Sequence, residues 1–84
     1  MDNQTIAKHL RQHARELEAE GGNLYRVRAY RRAADFVAGR DQPIECVLQQ
    51  TGRRGLRELP GIGSHIALAL ENLLHTGHIK PLAA

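Results

Sequence analysis

The chain has little of several things: one cysteine, no tryptophan, two tyrosines and one phenylalanine in 84 residues. The lone Cys46 excludes an internal disulfide framework and any cysteine-type metal cluster. So few rings exclude a sheet that stacks single-stranded bases on several aromatics. No apolar run is long enough to span a bilayer and no signal-peptide pattern is visible, so a cytoplasmic protein with no membrane partner is expected. Lysine is scarce as well. Of twelve basic residues only Lys8 and Lys80 are lysine, and the other ten are arginine. The net charge of +3 is mild and does not by itself define a nucleic-acid binder. The arginine bias says more, because a guanidinium offers a planar fork that suits phosphate.

What is present is helical periodicity. Ile6, Leu10, Ala14 and Leu17 recur at helical spacing and predict an amphipathic helix over 3–20, stopped by Gly21-Gly22. Asn23 can cap a second helix over 24–38 that carries Leu24, Val27, Tyr30, Ala33, Ala34 and Val37, closed by Gly39. Asp41 or Gln42 as cap, with Pro43 at the first helical position, starts a short third helix over 43–50, broken at Thr51-Gly52. Residues 54–76 then hold a short helix, a tight turn and a final helix with Ile66, Leu70, Leu73 and Leu74 on its buried stripe. Residues 78–84 read as a tail. No stretch alternates with period two. The expected fold is all-α: one domain over 1–84, a compact bundle of four to five short helices.

The turn is the informative part. In "LPGIGSHIA", Leu59–Ala67, Pro60 stops one helix, Gly61 allows a turn that a side chain would obstruct, and Ile62 can plug the crevice between the two helices. Gly63 lets a ligand approach as the next helix begins. The N–H groups of Gly63, Ser64 and His65 have no partners within that helix, and its dipole makes this end electropositive. Such an end binds phosphate oxygens. The pattern matches the helix-hairpin-helix motif, in which this turn holds a DNA phosphate without reading base sequence.

"GGNLYRVRAYRRAA" (Gly21–Ala34) followed by "LRELPGIGSHIALALENLLHTG" (Leu56–Gly77) resembles the amino-terminal domain of family X DNA polymerases, the DNA polymerase beta type, and among these the bacterial members most. The resemblance covers about Asn3 to Lys80. It implies a domain that grips the 5′-phosphate at a gap or nick, with Arg26, Tyr30, Arg57 and the hairpin at Gly61, Gly63 and His65 lining the phosphate site. It also implies a monovalent cation, K⁺ or Na⁺, held by the main-chain carbonyls of Arg57, Leu59 and Ile62; no other cofactor is called for. Arg26 and Tyr30 lie four apart and share a helix face, which supports part of this independently. Arg28, Arg31 and Arg32 form a neighbouring basic stripe that Asp35 interrupts.

The lyase chemistry of that family needs a lysine amine for a Schiff base, and the matching position here is Ala69. Arginine cannot replace it. Lys8, Lys80 and the amino terminus are the remaining amines, so efficient lyase activity is not expected. No polymerase domain lies within these residues. His9 and His13 have the i, i+4 spacing of helical zinc ligands but no third ligand in view. The reading is therefore a stand-alone, sequence-independent DNA-binding module for gapped, nicked or 5′-phosphorylated duplex, in repair or replication. Two alternatives accompany it: an adaptor that docks a separate polymerase or nuclease chain, and a weak 5′-deoxyribose-phosphate lyase using a stray amine.

Overall fold

In the computed structural model, which describes residues 1–79, four helices follow one another: α1 (Asn3–Ala19), α2 (Leu24–Ala38), α3 (Ile44–Arg57) and α4 (Ser64–Thr76). α1 packs on α2 as one helical hairpin, α3 packs on α4 as another, and α2 touches α4 where the two halves meet. The Cα radius of gyration is 11.8 Å. Among the described residues there is no strand, and no helix is long and apolar enough to cross a membrane.

Each helix starts and stops for a local reason. Asp2 accepts the Thr5 N–H at 2.7 Å to cap α1, and Asn23 accepts the Tyr25 N–H at 2.8 Å to cap α2. α4 ends at Gly77, in the left-handed region at φ 82°. α3 is not one straight helix: at Gly52 the backbone leaves helical geometry, with φ 67° and ψ −167°. The short helix that precedes the hairpin is therefore the piece of α3 beyond this kink.

Apolar burial joins the two halves. Ile6, Leu10 and Ala14 of α1, Val27, Ala34 and Val37 of α2, Leu56 of α3, and Leu70 and Leu73 of α4 are all essentially inaccessible to water. A core so rich in alanine lets helix axes come close, as at Ala33 and Ala67, both fully buried. Two details depart from the sequence reading. Leu24, assigned to the apolar stripe of α2, is 58% exposed. Ile79, placed in the tail, is buried against the core; residues 80–84, including Lys80, lie outside the described residues.

The start of α3 is also built differently from expectation. Pro43 is the cap residue rather than the first helical residue, and no side chain from its own segment caps the helix. The cap comes from the far end of the chain. Asn3 Oδ1 accepts the Ile44 N–H at 2.9 Å, while its Nδ2 donates to the carbonyls of Arg40 at 3.2 Å and Gln42 at 2.9 Å. One amide thus uses both its acceptor and its donor to stitch the first turn of α1 to the entry of α3.

Asn3→Ala is expected to lower unfolding free energy by about 1–3 kcal/mol, since two part-buried bonds and one exposed bond lose their partner together. Asn3→Asp should cost at least as much, because a carboxylate would face two carbonyl oxygens. Urea denaturation followed by circular dichroism measures both; an Asn3→Ala variant within about 0.5 kcal/mol of wild type would contradict this account.

Candidate nucleic-acid interface

The hairpin is held by two short backbone bonds and one buried side chain. Leu59 N–H donates to Leu56 O at 3.1 Å, and Ile62 N–H donates to Leu59 O at 3.0 Å, closing the turn around Pro60 and Gly61. Ile62 points inward and is 2% exposed, so the crevice between the helices is plugged as the sequence suggests. Its contribution to the surface is backbone alone. Gly63 then begins α4: its carbonyl accepts the Ala67 N–H at 2.9 Å, and it has no side chain to cap the helix. Among the described residues, the N–H groups of Gly63, Ser64 and His65 donate to nothing, and all three residues are exposed. The helix dipole adds partial positive charge at this end.

The two hairpin glycines are glycine for different reasons. Gly61 has φ 79°, where a Cβ would be strained. Gly63 has an ordinary φ of −87°, and a Cβ built there meets no atom within 4 Å. Folding therefore does not demand glycine at 63. The space in front of it is open.

Around these amides lies a groove with a single sign of charge. Arg26 and Arg32 from α2, Arg57 from α3, and the hairpin residues Gly61, Gly63, Ser64 and His65 line it together with Tyr25, and no carboxylate does. Among the described residues, Arg26, Arg32 and Arg57 make no ion pair. Other arginines do. Arg31 bonds Glu18 at 2.9 Å, Arg11 bonds Asp35 at 3.1 Å, and Arg53 lies 3.5 Å from Glu71. The basic stripe of α2 is thereby divided: Arg31 is tied to α1, whereas Arg32 turns to the hairpin.

Tyr30, expected among the phosphate-gripping side chains, does not line that groove and lies behind it. It is 2% exposed, with the His13 ring edge-on at 4.6 Å on one side and the His65 ring at 5.7 Å on the other. Its hydroxyl is 2.9 Å from His65 Nε2. Burial pushes the phenol up to about 12, only partly opposed by the nearby Arg26 charge, so it stays protonated. His65 moves the other way: desolvation, then Arg26 and His13, hold it below its ordinary value. Tyr30 acts as a post beneath His65.

Behind this post a cavity of about 290 Å³ is lined by His13, Leu17, Arg26, Tyr30, His65, Leu68, Ala69, Asn72 and Ile79. Ala69, the position where the resemblance implies a lyase lysine, therefore sits beside His65 and Tyr30 but offers only a methyl group. Lys8 lies in another groove, with Asp2, Arg11 and Arg15, and the amino terminus pairs with Glu45 of α3. Among the described residues no amine lines the Ala69 cavity.

The carbonyls of Arg57, Leu59 and Ile62 are those that the family resemblance implies for a cation. Leu59 O takes one N–H, leaving a lone pair, and the carbonyls of Arg57 and Ile62 accept no hydrogen bond among the described residues. His9, His13, Glu16 and His78 gather around a separate cleft, yet no three His, Cys, Asp or Glu among the described residues are placed to hold a metal ion.

One groove residue escaped the sequence reading. Tyr25 is 73% exposed at the first turn of α2, and its only available signal was its place beside Arg26, off the Val27–Tyr30–Ala34 stripe. No curated protein matches the chain. Helix-hairpin-helix domains commonly bind DNA, and a family model described as a helix-hairpin-helix domain matches residues 1–79. With nearly the whole chain matched, and with the Pro60–Gly63 turn between two packed helices, this protein belongs to the helix-hairpin-helix domain family.

Proposed function

We propose that this domain grips the DNA backbone at its hairpin without reading base sequence, and that it prefers gaps, nicks and 5′-phosphorylated ends, as a module of repair or replication. The observation that carries the reading is the uncapped start of α4, opened at Gly63 and set in a groove where, among the described residues, three arginines are unpaired and no carboxylate is present. Phosphate oxygens would accept from the N–H groups of Gly63, Ser64 and His65, with Arg57 and Arg26 closing on the same group through charge-assisted bonds. Contacts of this kind fix register on a strand and carry no direct sequence information. A terminal phosphate monoester bears more charge than an internal diester and has an extra unesterified oxygen, so clustered donors favour it. A K⁺ or Na⁺ on the carbonyls of Arg57, Leu59 and Ile62 would add positive charge at the same place.

Binding to gapped duplexes with and without a 5′-phosphate, measured by fluorescence anisotropy over a salt series, tests the reading. Micromolar affinity is expected, with the phosphorylated duplex bound more tightly. The slope of log affinity against log salt should be roughly −2 to −4 if two to four phosphates are neutralised. Equal affinity for both ends would remove end recognition and leave general backbone binding.

The two glycines separate fold from ligand. Gly61→Val should destabilise the protein by about 1–2 kcal/mol through its left-handed backbone. Gly63→Val should leave the melting temperature near wild type and cut DNA affinity at least tenfold by blocking the amides. If Gly63→Val bound DNA normally, the hairpin amides would not be the phosphate site.

Protonation gives an independent check. His65 is held low in the free protein, and a bound phosphate favours its charged form, so binding takes up a proton. Affinity should therefore rise as pH falls from about 7 through the lowered value, which lies below 6.5. His65→Asn should flatten that part of the pH profile.

A further inference from the structure

Three unpaired arginines serve the hairpin groove, and three more unpaired cations stand on another side of the molecule. Lys8 and Arg15 of α1 and Arg28 of α2 are exposed, and among the described residues none of them makes an ion pair. Two bonds across the α1–α2 seam show where they lie. Arg11 meets Asp35 and Arg31 meets Glu18, so residue 11 stands opposite 35 and residue 18 opposite 31. Arg15 is four residues after Arg11 and three before Glu18, and so falls between the two pairs on one helix face. Lys8 adjoins the first pair and Arg28 the second, each three residues away. Together Lys8, Arg11, Arg15, Arg31 and Arg28 form one basic band along the seam.

Arg11 and Arg31 serve the fold, because they tie α1 to α2; Lys8, Arg15 and Arg28 tie nothing. Carboxylates lie along the band as well, but each is engaged: Asp35 and Glu18 in the two pairs, and Asp2 with the Thr5 N–H at 2.7 Å. A row of free cations suits a long polyanion better than a single anion. Lys8 and Arg15 are about 10 Å apart along the helix axis, a length over which each strand of a duplex carries about three phosphates. Their groove is lined otherwise by Asp2, Gln4, Thr5 and Arg11, with no large apolar side chain to anchor a protein segment or enter a lipid surface. The band also looks away from the hairpin. Arg26, in the hairpin groove, and Arg28, in the groove it shares with Arg31, Arg32 and Asp35, lie about 200° apart around α2. DNA is stiff over roughly 150 base pairs. A duplex held at the hairpin therefore does not curl round to the seam of a domain whose longest extent is 36 Å.

We infer that the α1–α2 seam is a second DNA-backbone surface, centred on Lys8, Arg15 and Arg28, and that one copy of the domain tethers two separate duplexes, one at the hairpin and one at the seam. The choice of DNA as the polyanion rests on the phosphate-gripping function proposed above; the position of the seam does not. Seam contacts are made by flexible side chains without main-chain amides, so this surface takes any duplex backbone and does not distinguish an end from an interior.

In the test, a biotinylated duplex with a one-nucleotide gap and a 5′-phosphate is immobilised, the full chain is added, and retention of a second, continuous fluorescent duplex is measured at low salt. Sedimentation velocity of the same components in solution counts protein copies per pair of duplexes. Wild type should retain the second duplex with one copy per pair. Lys8→Gln/Arg15→Gln/Arg28→Gln should retain about tenfold less of it, while melting as wild type does and binding the gapped duplex alone within about threefold. In a Gly63→Val background, binding of the continuous duplex reads the seam by itself. Its salt slope should be roughly −3, and the triple substitution should flatten it by about one per cation removed. The inference is overturned if the triple variant still retains the second duplex, if it loses both duplexes by the same factor, or if tethering needs two copies of the protein. It is overturned as well if wild type binds phosphatidylserine vesicles through these cations while tethering no DNA. Wild type binding neither duplex would sink the phosphate-gripping reading too; normal gapped binding without tethering would sink the seam surface alone.

Discussion

The burial of Ile62 is the constraint on which the hairpin depends. A β-branched side chain driven into the crevice between α3 and α4 leaves Leu59 O as the partner of its own N–H, and that bond sets the turn. Residue 62 turns inward and the chain then enters α4, whose first amides have no partner within the helix and none elsewhere among the described residues. Unsatisfied donors are tolerable only in contact with water or a ligand. A buried apolar plug therefore presents a polar edge, and the proposed phosphate grip rests on that edge.

The rest of the bundle holds that edge still. α2 is the intermediary, because it packs on α1 along its length and reaches α4 through Tyr30. The same helix sends Arg26 and Arg32 to the hairpin while Arg31, one residue away, is drawn back to Glu18. Successive residues of a helix point about 100° apart, so one helix can brace the core, pair with its neighbour and charge the groove at once. Cationic side chains left unpaired in one groove are poised for an external anion; those paired across α1 and α2 are not.

Local signals in the sequence were legible because their physics is local. The Asn23 cap, the Gly77 stop and the inward Ile62 depend on residues within a few positions, and each is seen where the pattern suggests. The all-α architecture follows from the same periodicities. What could not be read depends on partners far along the chain. Pro43 has the look of a first helical residue, but the cap of α3 belongs to Asn3, 41 residues away. Periodicity places Tyr30 and Arg26 on one face, yet whether that face meets water or His13 and His65 is decided by α1 and α4. Arg31 and Arg32 are identical in composition, and only packing assigns one to a carboxylate and the other to the groove. Tyr25 was silent for the same reason: exposure is a property of the assembled molecule.

The part-buried contact between Tyr30 and His65 joins two groups that can each donate or accept. A phenol can give or receive a proton, and so can Nε2 of an imidazole. When His65 is neutral, the hydroxyl points its hydrogen at the ring nitrogen; when His65 is charged, the ring N–H points at the phenol oxygen. The bond reverses polarity by rotation of a single hydrogen, and its 2.9 Å span serves both states. The ring at the mouth of the groove can thus change its charge as an anion arrives or departs, without the helices beneath it having to move.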